Sequence, residues 1–169
     1  MSDKPALVLV GPPAAGKSRL AKRVAKMMNL PLVDTDSMVV QEHGPIKDIF
    51  ENHGEDVFRA WERAAVMTAL ETPGIVALGG GAVIDPATRE DLRNHTVALI
   101  TISPEAVEDR ISGDKRPLLS GGIESWVSLM EQRSGWYEEV AGVSFDTSHR
   151  AMDTLAVEIV DWVKGAEHE

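Results

Sequence analysis

The stretch Gly11-Pro12-Pro13-Ala14-Ala15-Gly16-Lys17-Ser18 has the spacing G-x-x-x-x-G-K-[ST]. In such a loop, backbone N–H groups cradle phosphate. The motif constrains the fold because it works only between a buried strand and the start of a helix. Both neighbours are present. Leu7-Val8-Leu9-Val10 is an apolar run of strand length, and Leu20, Val24, Met27 and Met28 follow at helical spacing. The helix N-terminus adds its dipole to the anion site. In this setting Lys17 reaches the β- and γ-phosphates and the Ser18 hydroxyl ligates Mg2+. The loop predicts a nucleoside triphosphate and leaves open where its phosphate goes.

The net charge of −10 argues against nucleic acid or an anionic membrane as the main partner. In so acidic a chain, cationic side chains should gather where anions bind, so the arginines are the residues to follow. Cysteine is absent, which removes disulfides and thiolate metal sites. The chain has no apolar run approaching the roughly 18 residues of a membrane span and no apolar leader, so the expected residence is the cytoplasm. Its 169 residues form one expected domain. No apolar surface stripe stands out, which makes a monomer the expected state. Gly165 to Glu169 read as a frayed tail.

Further along, Asn29 is a candidate helix cap, and Leu30-Pro31-Leu32-Val33-Asp34 reads as a second strand. Its polar end, Asp34-Thr35-Asp36, falls where open α/β sheets place ligands. Asp36 is also a candidate start for the next helix, stopped at Gly44. Residues 45–70 read as helical, with Pro45 in a first turn and a break at Gly54. Phe58, Trp61, Ala65, Val66 and Ala69 give the second of these helices a buried face. Arg59 and Glu62 stand three apart, and the residues alone favour an exposed ion pair.

Ile75-Val76-Ala77-Leu78 is a third strand, followed at once by Gly79-Gly80-Gly81, where a backbone without side chains can approach a ligand closely. Asp85-Pro86 reads as a cap with proline at the first helical position. Val97 to Ile102 is a fourth strand, and Ser103-Pro104 caps the helix after it. Residues 112–123 have the composition of a lid, with a basic then apolar centre between glycines. The next helix puts Arg133 in phase with Trp126, Leu129 and Met130, so the arginine either snorkels to water or points into a cleft. Val143-Ser144-Phe145 is a fifth strand, and a last helix carries Met152, Leu155, Ile159 and Trp162. Repeated βα units with solid apolar strands imply a three-layer α/β/α fold around a five-stranded parallel sheet. A helical insertion over about 34–62 and the lid give it the outline of a small-molecule or nucleotide kinase.

Over roughly residues 5 to 163 the chain resembles the shikimate kinase family. The resemblance rests on Asp34 and Asp36, then Gly44, Ile49, Phe50, Gly54, Glu55, Phe58, Arg59 and Glu62 in order. It continues through Gly79-Gly80-Gly81, Arg116-Pro117-Leu118-Leu119, Arg133 with Tyr137, and Asp146-Thr147 with Arg150. It implies transfer of the γ-phosphate of ATP to the 3-hydroxyl of shikimate, with Mg2+. The implied catalytic residues are Lys17, Asp36 and Arg116, the last on the lid. Arg59 and Arg133 are implied as the pair for the shikimate carboxylate, a planar anion that suits guanidinium forks. That role turns Glu62 into the support of Arg59. Asp36 and the Gly79, Gly80 and Gly81 backbone complete the implied acceptor set. The implied nucleotide set is Gly11, Ala14, Ala15, Gly16, Lys17, Ser18, Arg19, Arg110, Arg116 and Arg150, and Ser18 with Asp34 would hold the metal.

The chain departs from the family pattern in places. Ala14 stands where glycine is common, and because alanine disfavours positive φ, ordinary dihedrals are expected there. Arg19 replaces a common threonine. Ser134-Gly135-Trp136 replaces a proline-containing segment, which would put Trp136 in the pocket wall. A kinase for another small hydroxylated acid such as gluconate shares the fold and the loop, but the Arg59, Arg133 and Asp36 set favours shikimate. A nucleoside monophosphate kinase would need a base-reading pocket, for which the sequence has no signal. A catalytically silent protein binding ATP or shikimate would not need Lys17, Ser18, Asp34, Asp36 and Arg116 together.

Overall fold

The computed structural model describes residues 4–113 and 122–167. Five strands, β1 (Leu7–Val10), β2 (Leu32–Asp34), β3 (Ile75–Ala77), β4 (Val97–Thr101) and β5 (Val143–Asp146), form one parallel sheet in the order β2-β3-β1-β4-β5. Successive residues of a strand face opposite sides. Leu7 and Leu9 therefore join Leu20 and Val24 of α1 (Lys17–Met28) and Leu155 and Ile159 of α8 (Met152–Glu167) on one face. Val8 and Val10 join Val66 of α4 (Glu55–Ala69) and Tyr137 of α7 (Ile123–Val140) on the other. Both faces are covered, so β1, β3 and β4 read as solid apolar runs. The edge strand β5 alternates between half-buried and exposed positions instead.

Local chemistry sets most helix boundaries. Asn29 ends α1 in the left-handed conformation, at φ 55°. The Asp85 side chain accepts from the Ala87 N–H to start α5 (Pro86–Leu92), and Ser103 does the same for Ala106 in α6 (Pro104–Gly113). Three expectations are corrected. Asp34, not Asp36, caps α2 (Thr35–His43), because its Oδ1 accepts from Ser37 N at 3.1 Å. Asp36 is thereby left inside the first turn. Pro45 precedes α3 (Ile46–His53) rather than entering it. Helix α8 runs through Gly165 to Glu167, where fraying was expected, because Ile159 and Val163 anchor its last turns on the sheet.

Helices α2, α3 and α4 share a small core of their own, built on Val39, Ile49, Phe58 and Ala65. They form the expected insertion and stand beyond the carboxyl ends of β2 and β3. Most of the expected lid, with Arg116, lies outside the described residues.

Candidate active site

The carboxyl ends of β1, β2 and β3 lie side by side in the sheet, and each opens into one part of the site. From β1 comes the phosphate loop. Gly11 has φ 147° and Gly16 φ 88°, and a Cβ on Gly11 would collide with the Ile100 carbonyl. Ala14 overturns its expectation with φ 71°, a left-handed conformation that costs a non-glycine residue about 1–2 kcal/mol. Lys17 Nζ donates to the carbonyls of Gly11 at 2.7 Å and Pro12 at 3.2 Å. Burial lowers the Lys17 pKa to about 8, with Asp36 and Asp34 opposing the shift.

From β2 come the two carboxylates. Ser18 Oγ donates to Asp34 Oδ2 at 2.9 Å, which puts two hard oxygen donors together beside the loop. Thr35 between the carboxylates is fully buried and accepts from Gly79 N at 3.0 Å, so it ties the end of β2 to the end of β3. Burial, reinforced by Asp34, pushes the Asp36 carboxyl up, against the pull of Lys17 and Arg59.

From β3 comes the triple glycine. A Cβ on Gly79 would collide with the Asp36 carboxylate, and one on Gly81 with the Arg59 guanidinium. Glycine is needed there because two charged groups occupy the space a side chain would take. The exposed Arg59–Glu62 pair is corrected as well. Glu62 is only 4% exposed and accepts from Arg59 Nη1 at 2.8 Å. Burial raises its carboxyl, and Arg59 opposes the rise. Arg133 does not snorkel. It is 8% exposed, with its guanidinium packed against the Gly80 turn. Arg59 and Arg133 each leave a buried Nε without a hydrogen-bond partner, a donor surplus that fits an anionic ligand.

Two cavities meet here. One, of about 250 Å³, is lined by Asp36, Arg59, Glu62, Gly80, Gly81 and Arg133, among others. The other, of about 270 Å³, follows the loop from Pro12 to Arg19. Pro13, Asp36 and Gly80 line both. Trp136, expected in the pocket wall, lines neither. Its ring lies 4.9 Å from the Arg89 guanidinium, and Arg89 is anchored on Glu139 and the Val83 and Ile84 carbonyls.

The outlying arginines differ. Arg19 is exposed at the rim of the loop cavity. Arg110 donates to the carbonyls of Ala14 and Thr147, both at 2.8 Å. Arg150 is exposed, paired with Glu158 on α8, and lines neither cavity. In the sequence, Trp126 has only a place on an apolar face and Tyr137 only a place in the family pattern. Trp126 Nε1 donates to Pro13 O at 2.9 Å, and the Tyr137 hydroxyl donates to Gly80 O. The one available signal was that both residues carry a polar tip on a buried ring, which seeks a partner.

The chain matches the family model described as shikimate kinase over residues 13–164. It is 41% identical to the shikimate kinase of Rhodococcus jostii (strain RHA1) over 161 residues, or 92% of this chain and 96% of that one. It is 36% identical to that of Thermobifida fusca (strain YX) over 160 residues, or 92% and 93% of the two chains. Shikimate kinase from Acinetobacter baumannii, solved in complex with shikimate, superposes with a TM-score of 0.87 at 28% identity, covering 98% of this chain and 96% of that one. A gluconokinase from Sinorhizobium meliloti 1021 reaches a TM-score of 0.65 at 18% identity over 98% and 95% of the two chains, a likeness of fold alone.

Proposed function

Because the chain belongs to the shikimate kinase family, we propose that it transfers the γ-phosphate of ATP to the 3-hydroxyl of shikimate. The products are shikimate 3-phosphate and ADP, on the route to chorismate and the aromatic amino acids. The observation that carries this reading is the wall of Pro13, Asp36 and Gly80 shared by the loop cavity and the arginine-lined cavity. A group held on one side can reach a group held on the other.

The division of labour follows from chemistry. Arg59 and Arg133 hold the shikimate carboxylate, and Glu62 keeps Arg59 in place. Asp36 and the Gly80 backbone orient the 3-hydroxyl. That oxygen bonds to the γ-phosphorus as the bond to the β–γ bridging oxygen breaks, and the proton passes to Asp36. The raised basicity of a buried carboxylate suits that acceptor role. Lys17 and the loop N–H groups hold the β- and γ-phosphates through the transfer. Transition states of this kind are loose, so positioning outweighs basicity.

Ser18 and Asp34 fit Mg2+, since the metal takes one or two protein oxygens and fills its shell with phosphate and water. Bound there, it neutralises charge on the β- and γ-phosphates. Arg116 is the proposed lid arginine for the transferring group, and Arg110 and Arg150 are proposed on the adenine side. The proposed working form is a cytoplasmic monomer. Among the described residues, no helix is long and apolar enough to cross a membrane.

The test is ADP formation with Mg·ATP and a panel of acceptors that includes shikimate and gluconate. Shikimate-dependent turnover is expected, and turnover with another acceptor but not shikimate overturns the reading. Arg133→Ala should weaken shikimate by about a hundredfold while ATP still binds. Collapse of ATP binding in that variant would remove the role assigned to Arg133.

A further inference from the structure

We infer that Trp126, Arg110 and Thr147 form a clamp that holds the phosphate loop in its nucleotide-binding shape, with Trp126 as a positioning residue for the donor. Three successive loop carbonyls are each held by a side chain from a different part of the fold. Pro13 O accepts from Trp126 Nε1 of α7 at 2.9 Å, Ala14 O from Arg110 Nη1 of α6 at 2.8 Å, and Ala15 O from Thr147 Oγ1 after β5 at 2.7 Å.

Across a trans peptide the carbonyl and the following N–H point in opposite directions. Holding the carbonyls of residues 13 to 15 away from the cavity turns the N–H groups of Ala14, Ala15 and Gly16 the other way. Ala14 and Gly16 line the loop cavity, so those donors face the space where phosphate binds. The shape does not come free to this chain. Ala14 sits at φ 71°, and an alanine left to itself would leave that region. Strained dihedrals persist only where the surroundings over-determine them, and the three bonds do so here. Trp126 and Thr147 are 2% and 1% exposed, so neither can exchange its loop carbonyl for solvent without opening the core.

The inference rests on the loop as the ATP site and not on the identity of the acceptor. The test is therefore calorimetric binding of Mg·ADP, which needs no acceptor. Trp126→Phe keeps the ring and removes the donor, and Thr147→Val does the same for the hydroxyl. Each is expected to weaken Mg·ADP by about tenfold, the size of one lost buried hydrogen bond. Shikimate binding should stay within about twofold in Thr147→Val, because Thr147 and its partner Ala15 line neither cavity. In the Ala14→Gly background the same substitutions should cost less than about threefold, since glycine adopts positive φ without strain. Three results overturn the clamp: unchanged Mg·ADP affinity, equal losses for Mg·ADP and shikimate in Thr147→Val, or an undiminished loss in the Ala14→Gly background. If Trp126→Phe fails to fold, Thr147→Val carries the same test with the same outcomes. Shikimate turnover by the unsubstituted chain tests the functional reading separately.

Discussion

The Tyr137 hydroxyl donates to the Gly80 carbonyl over 2.5 Å, and the Arg133 guanidinium beside the same phenol opposes the rise of its pKa. One buried side chain thus joins the glycine turn to the arginine that α7 brings over it. Burial raises the Tyr137 pKa, so the phenol remains a donor at neutral pH. Tyr137→Phe keeps the ring and takes the donor away from the Gly80 carbonyl. The KM for shikimate should rise about tenfold with the KM for ATP unchanged. Steady-state kinetics with each substrate varied in turn checks this, and equal changes in both would assign Tyr137 to packing alone.

Glu62 makes a second prediction. It is the buried partner of Arg59, which also has Glu55 at 4.0 Å on its more exposed side. Glu62→Gln retains shape and removes charge, so Arg59 should be held less firmly. A loss of about tenfold in kcat/KM for shikimate is expected from one charge-assisted bond. Mg·ADP affinity should not move. A variant with normal shikimate kinetics would return the pair to a purely structural role.

Lys17 provides a pH signature. Its folded pKa of about 8 lies below the ordinary 10.5. Between those values the unfolded chain binds more protons than the folded one, so this group makes stability rise with pH across that window. In the role proposed for Lys17, the charged form is the one that meets phosphate. Above about pH 8 the nucleotide-free protein should therefore take up a proton as Mg·ADP binds. Calorimetry at about pH 8.5 in buffers of different ionisation enthalpy measures that uptake, which should vanish in Lys17→Met. Lys17→Ala should also cut turnover by about a hundredfold or more with its circular dichroism unchanged. Full activity would remove the loop from the mechanism.

Sequence spacing made the proposed donor side legible. The glycine-lysine-serine pattern, the strand before it and the helix after it are contiguous, and a phosphate loop is a local backbone shape. The caps at Asp85 and Ser103 are local for the same reason: a side chain reaches an N–H two or three residues away. Arg59, Glu62 and Arg133 were legible only as charges on or beside apolar faces. Their residue patterns did not decide between solvent and cleft, because that depends on what the fold lays over them. Family resemblance, not periodicity, supplied the roles proposed for them.

The order of strands and helices, the phosphate loop and the strand ends that carry Asp34, Asp36 and the three glycines follow from local pattern along the chain. Each rests on neighbours within a few residues. Tertiary structure alone decided that Glu62 and Arg133 are buried and that Asp36 and Gly80 stand between two cavities. It also decided that Ala14 holds a positive φ. The side chains that grip the loop lie far along the chain, with Trp126 113 residues from Pro13, Arg110 96 from Ala14 and Thr147 132 from Ala15. The local preference of alanine against that conformation is small beside three buried hydrogen bonds. Partners so distant are brought together only by the packing of α6, α7 and the end of β5 around the loop.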